Sequence, residues 1–99
     1  MTKILLCCSA GMSTSILVKK MQEEARKQNI EVKIEAKSVG EARTEFDNWD
    51  IILLGPQVGF MLGQLKNTTK KPMLVIPANI YAMAKGKDTL DLVFKTIPK

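Results

Sequence analysis

The chain predicts an α/β fold: a three-layer sandwich built on a four-stranded parallel sheet of order 2-1-3-4, with helices on both faces. Three observations point there. Short apolar runs alternate with stretches of helical periodicity. Two of the runs, Ile4 to Cys7 and Ile51 to Leu54, are continuously apolar, as in strands covered on both sides. A third, Ile30 to Lys37, alternates strictly between Ile30, Val32, Ile34, Ala36 and Glu31, Lys33, Glu35, Lys37, the pattern of a strand at a sheet edge with one wet face.

The fourth run, Met73 to Ile76, completes the strands. Between the first two, residues 14–28 carry Leu17, Met21 and Ala25 at four-residue spacing amid charged residues, which predicts an amphipathic helix. Ser38-Val39-Gly40-Glu41 has the capping-box pattern and opens a second, short helix ending near Asn48. Val58, Met61, Leu62 and Leu65 fit a third helix, and Leu90, Val93, Phe94 and Ile97 a last one. Residues 66–71 and 77–87 are expected as loops. Right-handed crossovers with runs one and three central give the order 2-1-3-4. The winding then reverses between strands one and three, and ligands of such sheets bind outside the strands' carboxyl ends at that switch point. Here that crevice is formed by the loop starting at Cys8 and by Gly55-Pro56-Gln57.

Ninety-nine residues, 45% hydrophobic and 25% charged, suit a single folded domain over residues 1–99. No run reaches the roughly 18 apolar residues of a membrane span, and no secretory segment opens the chain, so a cytoplasmic protein is expected. The net charge of +5 is uneven. Residues 1–50 balance eight Lys and Arg against eight Asp and Glu, while residues 51–99 set seven Lys against Asp88 and Asp91. A basic half suits an acidic partner or an anionic surface. Nucleic acid is not expected, because neither Arg nor aromatic residues cluster with the lysines. With two cysteines and no histidine, neither a zinc site nor another metal site is expected, and adjacent Cys7 and Cys8 make a poor disulfide pair.

Cys8-Ser9-Ala10-Gly11-Met12-Ser13-Thr14-Ser15 joins the first strand to the first helix. Small and hydroxyl residues there leave backbone N–H groups and the helix dipole free to hold an anion, and the same field favours a Cys8 thiolate. A free cysteine is often only a small buried hydrophobe. That description suits Cys7, because alternation along the strand turns it into a helix-covered core, while Cys8 stands at the strand's carboxyl end. Gln57 follows the central third strand at the switch point and is a candidate supporting residue, as is Tyr81. Capping alone would account for one hydroxyl of Ser13, Thr14 and Ser15, but not for three.

The stretch from Cys8 to Ser15 resembles the phosphorylation loop of the enzyme IIB components of the bacterial phosphoenolpyruvate-dependent sugar phosphotransferase system, lactose/cellobiose/chitobiose type. Leu53-Leu54-Gly55-Pro56-Gln57-Val58 resembles that family's second signature. The likeness extends over essentially the whole chain and implies a fold like that of low-molecular-weight tyrosine phosphatases. It implies that Cys8 accepts a phosphoryl group from the phosphohistidine of a IIA partner. Cys8 would then donate it to a disaccharide bound by the membrane-embedded IIC component, at the inner face of the membrane. Ser9, Ala10, Gly11, Met12, Ser13, Thr14 and Ser15 would bind the phosphoryl oxygens, and no cofactor is implied. Tyr81-Ala82 stands where many members have Tyr-Gly, and Pro77 where Asp is common.

The alternative is a phosphatase of the low-molecular-weight tyrosine type. Its loop ends in Arg six residues after the Cys, a position held here by Thr14, and no Asp-Pro pair supplies a general acid. A receiver-type signalling module would need acidic residues after strands one or three, and none is there.

Overall fold

The computed structural model describes residues 1–8 and 15–98 of the chain. Four parallel strands, β1 (Thr2–Cys8), β2 (Val32–Ser38), β3 (Ile51–Leu54) and β4 (Met73–Val75), form one sheet of order β2-β1-β3-β4. The expected order therefore stands, with β1 and β3 central. Alternation along the strands divides the core in two. Ile4, Leu6, Ile34, Ile51 and Leu53 face one way, packing on Leu17, Met21 and Ala25 of α1 (Ser15–Lys27) and on Leu90 and Val93 of the last helix (Gly86–Thr96). Leu5, Cys7, Ile52 and Leu54 face the other way, onto Ala42, Phe46, Trp49, Val58 and Leu65. Buried apolar surface on both faces accounts for continuous apolar runs in the central strands.

Helix and strand ends differ from the sequence expectation where side chains and backbone bonds intervene. Strand β2 begins at Val32 rather than Ile30, because the Ile30 N–H closes α1 by donating to the Ala25 carbonyl at 2.9 Å, with Asn29 in the left-handed region at φ 56°. Ser38 does cap a helix, accepting from the Glu41 N–H at 3.4 Å. That helix, α2 (Val39–Ala42), stops early, and a single 3₁₀ turn (Phe46–Asn48) follows. The Thr44 hydroxyl donates to the Glu41 carbonyl at 2.8 Å, diverting an acceptor at the helix end. The break lets Phe46 and Trp49 enter the core and brings Glu45 onto Lys37 Nζ (2.8 and 2.9 Å) and Trp49 Nε1 (2.9 Å). Those two donors hold the Glu45 carboxyl below its usual range, and the hydrogen bond to Glu45 raises Lys37.

The expected third helix is split into a 3₁₀ stretch (Pro56–Met61) and α3 (Leu62–Lys66). Pro56 presets the first turn, and the tighter winding lets Gly59 meet the Val75 side chain, where an added Cβ would lie 3.0 Å from Val75 Cγ1. The segment 77–87, expected as loop, holds α4 (Ala78–Ala82) and the start of α5 (Gly86–Thr96). At five residues α4 buries no residue fully and carries no apolar period to be read. Ala84 ends it at φ 50°, with the Lys85 N–H donating to the Ile80 carbonyl at 3.0 Å, a helix stop more often made by glycine.

Candidate functional site

Strand β1 carries both cysteines to the carboxyl end of the sheet, Cys7 opposite Lys37 on one side and Leu54 on the other, Cys8 opposite Ser38. Their side chains take opposite faces. Cys7 is fully buried among Leu54, Phe46, Trp49 and Val58. Cys8 falls on the α1 face and is 1% exposed. Burial, together with the neighbouring Cys8 and Glu45, pushes the Cys7 thiol up to about 12. Cys7 therefore stays protonated near neutral pH and is a poor nucleophile.

A pH dependence follows. Folding raises the Cys7 pKa from 9.0 to about 12, so its stabilising effect is complete below pH 9.0 and is lost as pH climbs towards 12. Over that window the wild-type chain is expected to lose stability more steeply than Cys7→Ala, by up to about 1.4 kcal/mol per pH unit. Urea unfolding of both proteins at several alkaline pH values measures the difference.

Gly55 ties the switch point together. Its N–H donates to the Cys7 carbonyl at 2.8 Å, extending the contact of β1 with β3 past the last strand residue. A Cβ placed on Gly55 would lie 3.0 Å from Gln57 Oε1, 3.5 Å from Tyr81 Cε2 and 3.5 Å from the Cys7 carbonyl oxygen. Gln57 and Tyr81, named from the sequence, thus converge on one glycine beside the end of β1. Gln57 is exposed in the first turn after β3, and Tyr81 is half-buried on α4 rather than on a loop. Ser15 is exposed as the first residue of α1, whose N-terminus follows β1. The remaining candidates, Ser9, Ala10, Gly11, Met12, Ser13 and Thr14, lie outside the described residues. The sequence named Gly55 only as part of a loop. The hint that a close approach needs it there was its place directly after a central strand.

A hollow of about 520 Å³ lies elsewhere, lined by Met1, Arg26, Ile30, Glu31 and Val32 among others. It opens at the amino ends of β1 and β2, away from Cys8, Gln57 and Tyr81.

Comparison with known proteins gives this arrangement a family. The profile described as "PTS system, Lactose/Cellobiose specific IIB subunit" matches residues 3–92. The oligo-beta-mannoside-specific EIIB component of Bacillus subtilis (strain 168) is 40% identical over 90 residues, which cover 88% of this chain and 87% of that protein. The galactose-specific EIIB component of Lactococcus lactis subsp. cremoris and the cellobiose-specific EIIB component of Lactococcus lactis subsp. lactis are each 41% identical over 95 residues, covering 88% of both chains. Among solved structures, the cellobiose-specific IIB component of Borrelia burgdorferi superposes with a TM-score of 0.79 at 35% identity, over 95% of this chain and 89% of that one. The lactose-specific IIB domain of Streptococcus pneumoniae reaches a TM-score of 0.85 over 95% of each chain; at 18% identity it bears on the fold alone. No helix among the described residues is long and apolar enough to cross a membrane. With a family profile spanning nearly its whole length and relatives near 40% identity, the chain belongs to the lactose/cellobiose-specific IIB subunits of the phosphotransferase system, a family of phosphotransferases.

Proposed function

We propose that this protein is a phosphoryl carrier for a cellobiose-, lactose- or chitobiose-type sugar, folded as a single IIB domain over residues 1–99 and working in the cytoplasm. The Cys8 thiolate attacks the phosphorus of a phosphohistidine on a IIA protein. An S–P bond forms as the N–P bond breaks, and the imidazole keeps the electron pair. A hydroxyl of the sugar held by the membrane-embedded IIC component then attacks the same phosphorus. An O–P bond forms, the hydroxyl proton is lost, and the Cys8 thiolate leaves.

One observation carries the reading: Cys8 ends a central strand at the switch point, while Cys7 turns into the core with its thiol at about 12; the stretch from Cys8 to Ser15 resembles the family's phosphorylation loop in sequence. The residues from Ser9 to Ser15 would bind the phosphoryl oxygens largely through backbone N–H groups, with Gln57 and Tyr81 supporting the crevice beside them. Thr14 stands where a related phosphatase has Arg, so nothing in the loop supplies a guanidinium to hold charge during hydrolysis. A slow-hydrolysing phosphocysteine is what a carrier needs.

The test is intact mass and peptide mapping after incubation with phosphoenolpyruvate, the general phosphotransferase proteins and a cognate IIA. One phosphate on Cys8 is expected. Absence of an adduct together with hydrolysis of an aryl phosphate would replace the carrier with a phosphatase.

A further inference from the structure

Strand β2 is a margin of the sheet: in the order β2-β1-β3-β4 no strand among the described residues lies beyond it. Its inner side is occupied. The Thr2 N–H donates to the Glu31 carbonyl at 3.1 Å, and the parallel register sets Lys33 beside Lys3, Glu35 beside Leu5 and Lys37 beside Cys7. In a parallel ladder the N–H and C=O of one residue point the same way, and those of the next residue point oppositely. Glu31, Lys33, Glu35 and Lys37 therefore turn their backbone groups to β1, while those of Val32, Ile34 and Ala36 face out from the edge. At seven residues this is a long edge to leave without a strand beside it.

The side chains divide by face. Ile34, with Val32 and Ala36 packed beside it, belongs to the core under α1, and the charged residues take the other face. There Lys33 and Glu35 lie 3.5 Å apart with side chains 50% and 40% exposed. Charge on an edge strand ordinarily keeps copies apart, and a run of one sign would do so. Here the signs alternate, so the edge complements itself. Laid antiparallel on a second copy and centred on Ile34, the strand sets Ile34 opposite the partner's Ile34, Val32 opposite the partner's Ala36, Lys33 opposite the partner's Glu35 and Glu31 opposite the partner's Lys37. Every charge meets its opposite, and the residues with outward backbone groups face one another. The adjacent registers fail. Centring on Lys33 opposes Lys33 to the partner's Lys33 and Glu31 to the partner's Glu35, and centring on Glu35 opposes Glu35 to the partner's Glu35 and Lys33 to the partner's Lys37.

We propose that β2 pairs with the β2 of a second copy of this chain, antiparallel about a two-fold axis at Ile34, joining the two four-stranded sheets edge to edge. Lys37 is already held by Glu45 at 2.8 Å, so the Lys33 and Glu35 pairs at the centre set the register. Confined to one strand edge, the contact falls below the ~1,200 Å² at which stable interfaces begin, and the dimer forms and separates with concentration. Because β1 runs with β2, the two Cys8 stand at opposite ends of the joined sheet.

The experiment is sedimentation velocity of the full chain at concentrations from about 5 µM to about 1 mM, where a dimer with a Kd of roughly 100 µM is expected. Lys33→Glu and Glu35→Lys each place like charges at the centre and are expected to weaken self-association at least about tenfold, with both variants folded by circular dichroism. An equimolar mixture of the two variants is expected to restore the dimer, since each introduced charge then faces its opposite across the axis. In amide hydrogen exchange of the wild-type chain, Val32, Ile34 and Ala36 are expected to slow as concentration rises, while Lys33, Glu35 and Lys37, already bonded to β1, stay as they are. A chain that remains monomeric throughout would overturn the proposal. So would a dimer that both single variants form as well as wild type, a mixture no better than either variant alone, or concentration-dependent protection confined to other residues.

Discussion

Cys8→Ser is expected to lose phosphoryl uptake by at least about a thousandfold, the scale on which removal of a nucleophile acts in enzymes that depend on one. A serine hydroxyl holds its proton far above neutral pH and needs an adjacent base, and the chain contains no histidine to serve as one. The loss is chemical rather than structural. The exchange changes one atom at the end of β1 and costs no more than about 1–2 kcal/mol, so the variant should remain folded by circular dichroism. Cys7→Ser supplies the opposite result: it puts a hydroxyl among Leu54, Phe46 and Val58, lowering stability by about 1–3 kcal/mol while transfer continues. Equal transfer by wild type and Cys8→Ser would end the assignment of Cys8.

Among the described glycines, Gly86→Ala is expected to be the most damaging substitution by alanine. A Cβ at Gly86 would stand 2.5 Å from the carbonyl carbon of Lys20, 2.6 Å from its oxygen and 2.7 Å from the Met21 nitrogen. These are backbone atoms of a helix whose Leu17, Met21 and Ala25 are already locked in the core, so neither helix can yield locally. Separating α1 from α5 opens the contact that covers one face of the sheet, at about 2–3 kcal/mol. The melting temperature should fall by roughly 10 °C or more. The same substitution at Gly40 or Gly63, where a Cβ meets nothing within 4 Å, should lower it far less.

Much of the fold was legible because the signal spans whole elements. Ile4 to Cys7 and Ile51 to Leu54 are apolar throughout since both faces are covered, and the polar alternation of Glu31, Lys33, Glu35 and Lys37 marks an edge. Pieces shorter than a helical period were not legible. Ala78–Ala82 is one turn held by Pro77, whose carbonyl accepts from the Tyr81 N–H at 3.0 Å, and the tight turns at Pro56–Met61 and Phe46–Asn48 arise from burial of Val58 and of Phe46 and Trp49. At the site, the roles expected of Cys7 and Cys8 followed from alternation along one strand. The meeting of Gln57 and Tyr81 over Gly55 joins segments 24 residues apart, and no local pattern encodes it.

The opposed directions of Cys7 and Cys8 bear also on oxidative damage. They are the only sulfhydryls in the chain, and a sulfenic acid on Cys8 would need a second thiolate in reach to condense into a disulfide. Cys7 points through the other face of the sheet and holds its proton up to about 12, so it cannot play that part. Peroxide would then carry Cys8 onward to the irreversible acids unless a small thiol from solution intervened, and the thiol's working lifetime would depend on the cell's reductant supply.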